Sequence, residues 1–293
     1  DGLDETKETL GKMIATQNGK NSENERLKAI SILRYNQEEV DDILPNKDSL
    51  EQLTDKSLNE EWAKMLQAPT IYYFMNDMNE DEMKGLVTQF LSDFPRSKRF
   101  DSAQILPTEG KAIASFAMNP EPKSDVKMWA FSSHQWQGKD AVLVSILRNI
   151  ATNKLKMALR DKELGIYSLR FESSLNSETD RIESELSFVA NPDNADKLIG
   201  QARAVFDALP EQITEEDVKI AKTQFVTAEK DRLQEPRTWL ARLILSENHT
   251  GNPQYLTDMQ SLADDITLDN VKAMAKEIYN TNNEKVFITT PKR

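Results

Sequence analysis

The sequence predicts an α+β fold: a largely antiparallel sheet covered on one face by helices, preceded by a partial, mainly helical domain. Two observations carry this. From residue 111 onward the runs follow the order β-β-α-β-β-α-α-α-α-β, which suits strands in pairs with helices gathered on one side. Residues 1–66 contain helical patterns and no strand to pair with them, so they read as the latter part of a domain. The expected boundaries are 1–95 for the end of that preceding domain, 96–110 for a linker and 111–293 for a complete C-terminal domain.

Leu3–Gln17 and Glu23–Arg34 have helical spacing and are separated by the turn-rich residues 18–22. Ser49 or Asp48 can cap a short helix with Leu50 and Leu53, and Asn59–Leu66 reads as another helix. Thr70–Met75 is rich in β-formers and reads as a short buried strand. Asn79 with Glu82 three residues on is a capping-box pattern. Met83, Leu86, Val87, Phe90, Leu91 and Phe94 then recur at helical spacing until Pro95.

Arg96–Gly110 is polar, with Pro107 and Gly110, and suits a linker. Lys111–Met118 and Asp125–Ser132 alternate as strands with a turn at 119–124. Lys139 to about Arg160 is a long helix whose Val142, Leu143, Ile146, Leu147, Ile150 and Leu155 form a broad apolar stripe. Gly165 suits a left-handed helix stop, and Ile166–Glu172 alternates as a strand. A turn at 176–179 leads to the strand Arg181–Ala190, with Ile182, Leu186 and Phe188 on one face. Asn191 and Pro192 start a helix that is expected to stop at Pro210. Thr214 caps the next, to about Leu233, with acidic residues in its first turn. Pro236 opens a further helix to Glu247. Thr267 starts one ending near Tyr279, and Lys285–Thr290 is the last strand.

Composition removes several function classes. The net charge of −12 argues against nucleic acid, whose phosphates need clustered Lys and Arg. The absence of Cys excludes disulfides, thiolate zinc sites and thiol nucleophiles. Apolar runs fall far short of the ~20 residues that cross a bilayer. The chain lacks an initiator Met, and Asp1 reads as a cut end.

Chemistry-bearing patterns are few. The two histidines, His134 and His249, stand alone and read as loop residues. The acidic clusters Glu60–Glu61, Glu80–Asp81–Glu82 and Glu215–Glu216–Asp217 read as solvated charge favourable to helix N-termini. No Gly-x-Ser-x-Gly elbow or phosphate-binding loop is present. Arg160 at a helix end and Tyr167 at a strand start are seven residues apart and can point into one space. The same residues also suit a local ion pair with Glu163 and an ordinary strand tyrosine.

The stretch Leu159-Arg-Asp-Lys-Glu-Leu-Gly-Ile-Tyr-Ser168 resembles the arginine–tyrosine element in the non-catalytic half of the pitrilysin/insulinase family of zinc peptidases. The resemblance extends over roughly residues 60 to 290, with matching helix starts at 213–222 and 266–279. It implies a pitrilysin-like or mitochondrial-processing-peptidase-like domain. It also implies that Arg160 and Tyr167 contact peptide substrate near the scissile carbonyl. The family's zinc motif, His-x-x-Glu-His, is missing here, so no cofactor is expected in this chain; zinc would belong to the parent enzyme's catalytic half. Expected partners are a peptide substrate and that half, in the same polypeptide or a separate subunit. The chain alone is expected to be inactive. The alternative is an inactive relative serving as a peptide-binding or structural subunit. Bacterial relatives of this type imply a periplasmic location.

Overall fold

The structure, a computed structural model, describes residues 2–17, 22–38, 47–68, 70–93, 104–161, 166–252 and 261–292, with only the backbone at Arg160 and Asp161. The chain divides into two compact units: Asp1–Asn24 with Ile43–Gln104, and Glu25–Asp42 with Ile105–Arg293. The stretch Glu25–Asp42, assigned from sequence to the preceding domain, thus groups with the later residues.

The regular elements described in the first unit are helices. This unit contains α1 (Gly2–Gln17), α3 (Lys47–Gln52), α4 (Asp55–Gln67) and α5 (Glu80–Leu91), while α2 (Glu23–Tyr35) lies mostly in the second unit. Lys7 Nζ ties α1 to the end of α3 by donating to the carbonyl of Glu51 at 3.1 Å. The short helix α3 already includes Asp48 and Ser49, so neither is its cap. Helix α4 starts four residues earlier than the apolar pattern indicated. The reason is local: Thr54 and Ser57 form a reciprocal capping box. Asn79 caps α5 by accepting from the Glu82 N–H at 2.8 Å.

Thr70–Met75 is not a strand. Its described residues have no ladder partner, and Ile71, Tyr72, Phe74 and Met75 are exposed. Propensity without a partner leaves the backbone donors of a strand unpaired. Residues 18–21, Phe94, Pro95 and 96–103, where a turn, a helix end and most of the linker were expected, lie outside the described residues.

The second unit holds a five-stranded sheet: β1 (Ala112–Asn119), β2 (Ser124–Ser133), β3 (Ile166–Asn176), β4 (Arg181–Ala190) and β5 (Glu284–Pro291). The order is β1-β5-β2-β4-β3. Only the β1–β5 pair is parallel. The last strand therefore inserts between the first two, and residues 119–124 bridge the width of a strand instead of closing a hairpin. Asn119 secures this bridge, its amide donating to the carbonyls of Lys123 at 2.8 Å and Thr289 at 3.1 Å.

Helices α6 (Gly138–Lys156), α7 (Ala195–Gln212), α8 (Glu215–Arg232) and α10 (Leu268–Ala275) contribute to the core over one sheet face; α9 (Pro236–Thr250) follows α8. That core joins Met128, Phe171, Ile182, Leu186, Phe188 and Val286 of the sheet to Ile146, Leu147, Leu198 and Leu209 of the helices. Strand β4 alternates without a break between half-buried and buried residues, the period-2 signature of a strand with one core face. Helix α7 runs through Pro210 to Gln212. A proline so near a C-terminus removes one N–H and leaves few turns to disrupt. The last helix ends at Ala275, four residues before Tyr279, and turns carry the chain onward.

Candidate functional site

Helix α6 does not run as an α-helix to Arg160. It gives way after Lys156 to a π-helical turn, Met157–Asp161, and Arg160 lies in that turn. π-turns are rare and recur at functional positions because they widen the spiral and re-aim side chains. Gly165 and Glu163, the expected cap and ion-pair partner, lie outside the described residues.

Tyr167 is fully described. Strand β3 pairs Ile166 with Ala190 and Ser168 with Val189, so Tyr167 is the extra residue of a β-bulge. The consequence is visible in burial. Ile166, Leu169 and Phe171 face inward, while Tyr167 and Ser168 both point out. A bulge breaks the alternation and redirects a side chain. Tyr167 is 68% exposed, at the start of an edge strand of the sheet. The signal was present in sequence: the step from Ile166 to Leu169 has the wrong parity for one strand face.

The histidines are both tied down. The His134 ring lies 2.8 Å from Glu277 Oε2 through Nδ1 and 3.1 Å from Asp140 Oδ2 through Nε2. Burial acts to lower its pKa, but the two carboxylates outweigh it and the pKa is raised. His249 lies in the last turn of α9, not past its end, and stacks on Trp136 with ring centroids 4.3 Å apart. Among the described residues no group of three or more His, Asp or Glu is arranged to hold a metal. The described residues do not fit a zinc site.

Of the acidic clusters, Glu80–Glu82 and Glu215–Asp217 occupy helix first turns. Asp217 does more. It accepts from Thr214 in a capping box and from Lys154 Nζ at 2.9 Å. Burial acts to raise its pKa, but these donors hold it below the ordinary value.

Sequence reasoning missed the buried charges. Glu284 is buried in β5, accepting from Tyr279 at 3.0 Å and from Arg203 Nε at 2.9 Å. Glu229 in α8 is buried and accepts from Arg242 of α9 and from Arg232 at 2.7 Å. Arg232 lies one helical turn from Glu229, but no local spacing marks Arg242 for Glu229 or Arg203 for Glu284, which lie 13 and 81 residues apart.

The sheet, its helical layer and the bulged edge strand define an α+β domain of the pitrilysin type. The chain belongs to the peptidase M16 family: residues 53–225 match the domain described as the peptidase M16 inactive domain. Among curated relatives, it is 25% identical over 191 residues to the probable zinc protease PqqL of Haemophilus influenzae, covering 63% of this chain and 20% of the relative. It is 36% identical to the ferredoxin protease FusC, whose mutant was solved in complex with Arabidopsis ferredoxin. The TM-score is 0.89, over 99% of this chain and 32% of that one. The periplasmic protease PqqL of Escherichia coli shares the fold at a TM-score of 0.80 and 16% identity, over 99% of this chain and 33% of that one. The chain thus spans about a fifth to a third of these relatives' length.

Proposed function

We propose that this chain is the C-terminal, zinc-free portion of a zinc-dependent metalloendopeptidase. In this reading the sheet and helices of residues 111–293 belong to one of its non-catalytic domains, and zinc is held by another part of the polypeptide or by a separate subunit. This chain supplies the wall of the substrate chamber. Arg160 and Tyr167 donate hydrogen bonds to the peptide near the reacting carbonyl, stabilising negative charge as it develops there and fixing the peptide's position. The observation that carries the reading is the bulge at Tyr167, which turns a phenol outward from an edge strand, in a chain of a peptidase family. The similarity to a ferredoxin protease makes a small folded protein, ferredoxin included, the first substrate to test. The fold shared with a periplasmic protease supports a periplasmic location. Among the described residues no helix is long and apolar enough to cross a membrane.

Steady-state kinetics of the full-length enzyme provide the test. Tyr167→Phe removes one hydroxyl, and its loss should appear in kcat rather than only in KM. The expected fall is smaller than the ~10²–10³ measured for a lone oxyanion donor in another hydrolase family. Arg160→Lys keeps the charge and loses the planar fork, so it should restore activity incompletely. Wild-type kcat in both variants, at unchanged melting temperature, would refute the proposed contacts. The chain by itself should bind no stoichiometric zinc and cleave no peptide. One tightly held zinc per chain after dialysis would overturn the assignment.

A further inference from the structure

We propose that the depression between α8 and α9 binds a carboxylate group of a peptide. The depression has a volume of about 580 Å³ and is lined by Arg232, Arg237, Arg242, Glu229, Ala241 and Leu245, among others. Three arginines and a single glutamate thus line it, in a chain whose net charge is −12. Arg242 is only 7% exposed. Its Nη2 donates to Glu229, but its Nη1 is buried and has no acceptor among the described residues. A buried N–H donor without an acceptor is rare in folded proteins and calls for one. A cationic donor pairs most strongly with an anionic oxygen.

The remaining cations can close the site from outside. Arg232 gives one nitrogen to Glu229 and is half-exposed. Arg237 is exposed, and its Nε lies 3.9 Å from Glu235. Planar guanidinium forks match planar carboxylates, holding both oxygens at once. Ala241 and Leu245 supply apolar wall beside the cations, suited to the carbon atoms of an amino-acid residue. A nucleic acid is disfavoured by the overall negative charge. That the carboxylate belongs to a peptide rests on the peptidase reading above; the anion-binding geometry does not.

Calorimetric titration of the 293-residue chain with three short peptides tests the proposal. The first has a free C-terminal carboxylate and no charged side chains. The second is its amide. The third is an amide with a single internal Glu. At least one carboxylate-bearing peptide should bind about tenfold or more tighter than the neutral amide, the scale of one hydrogen bond to a charged group. The first and third peptides distinguish a chain terminus from an acidic side chain. Arg232→Gln and Arg237→Gln alter exposed or half-exposed residues and should fold. Together they should remove most of that preference, and Arg242→Lys should weaken it if it folds. Equal binding of all three peptides, or none, would mean that a water satisfies Arg242, and the proposal would fall. Inorganic phosphate competing as tightly as the peptide would reduce the site to an adventitious anion site and also overturn it. The titration requires no catalysis, so carboxylate binding by a chain whose parent cleaves no peptide would refute the peptidase reading and leave the site standing.

Discussion

In the second unit Ile182 and Leu186 are fully buried, whereas in the first Trp62 and Phe90 are 58% and 64% exposed. Both pairs belong to segments with clear apolar patterning. Strand β4 meets a helical layer and closes a core. Helices α4 and α5 contain no buried residue. Among the described residues of the first unit, Ile14 and Leu50 are the buried hydrophobics. Amphipathic patterning states which face a helix would bury; burial itself requires a partner surface. The first unit therefore carries apolar faces that the proposed parent enzyme would cover, and the second carries its own core.

The sharpest way to break this contrast is to truncate one residue in each unit. Leu186→Ala should cost about 2–5 kcal/mol in urea denaturation, since it opens a cavity in packed surroundings. Phe90→Ala in this chain should stay within about 0.5 kcal/mol, as exposed substitutions do. In a full-length parent that covers α5, the same change should approach the ~3–5 kcal/mol of a buried phenylalanine. A large cost for Phe90→Ala in this chain would refute the contrast. Limited proteolysis should agree, with first cuts before residue 66 or within 96–110 and late cuts within 140–160.

Glu284→Ala should cost about 1–3 kcal/mol, because it leaves the buried Tyr279 hydroxyl without its acceptor. The helix caps compare the units more finely. Thr54 and Thr214 make the same reciprocal box at the starts of α4 and α8, and each cap is worth about 0.5–2 kcal/mol. Thr214→Ala should lower the global midpoint, since α8 is packed into the core. Thr54→Ala should instead raise hydrogen exchange locally in α4 and leave the midpoint in place.

The smallest effect is a pH dependence confined to the second unit. The pKa of His134 is raised by Asp140 and Glu277 against the opposing effect of burial. Its stabilising contribution is thus complete below the unfolded value of about 6.5 and lost as pH rises through the folded value. His134→Gln should flatten the stability profile across that window. An unchanged slope would show that the two carboxylates do not hold the imidazolium.

Local rules were legible before the fold was known. The strand Arg181–Ala190 matches residue for residue, and Thr214, Asn191 and Thr267 cap the turns they were expected to start. These features depend on residues within about four positions of one another, so composition and spacing carry them. Arg160 and Tyr167 could be singled out in the same way, and the parity step from Ile166 to Leu169 marks the bulge, but no local pattern marks the π-turn at Arg160.

Tertiary structure decided the rest. It placed β5 between β1 and β2, left Thr70–Met75 without a ladder, and carried α7 past Pro210. It also brought Arg242 to Glu229 and Arg203 to Glu284. Arg203 and Glu284 lie 81 residues apart, and such distant pairings leave no periodic trace in a single chain. The amino-acid sequence by itself determined which residues could form helices, strands and caps, because those preferences act over one or two turns. Strand order and the pairing of buried charges were decided only by the folded chain, because they depend on which distant surfaces exclude water together.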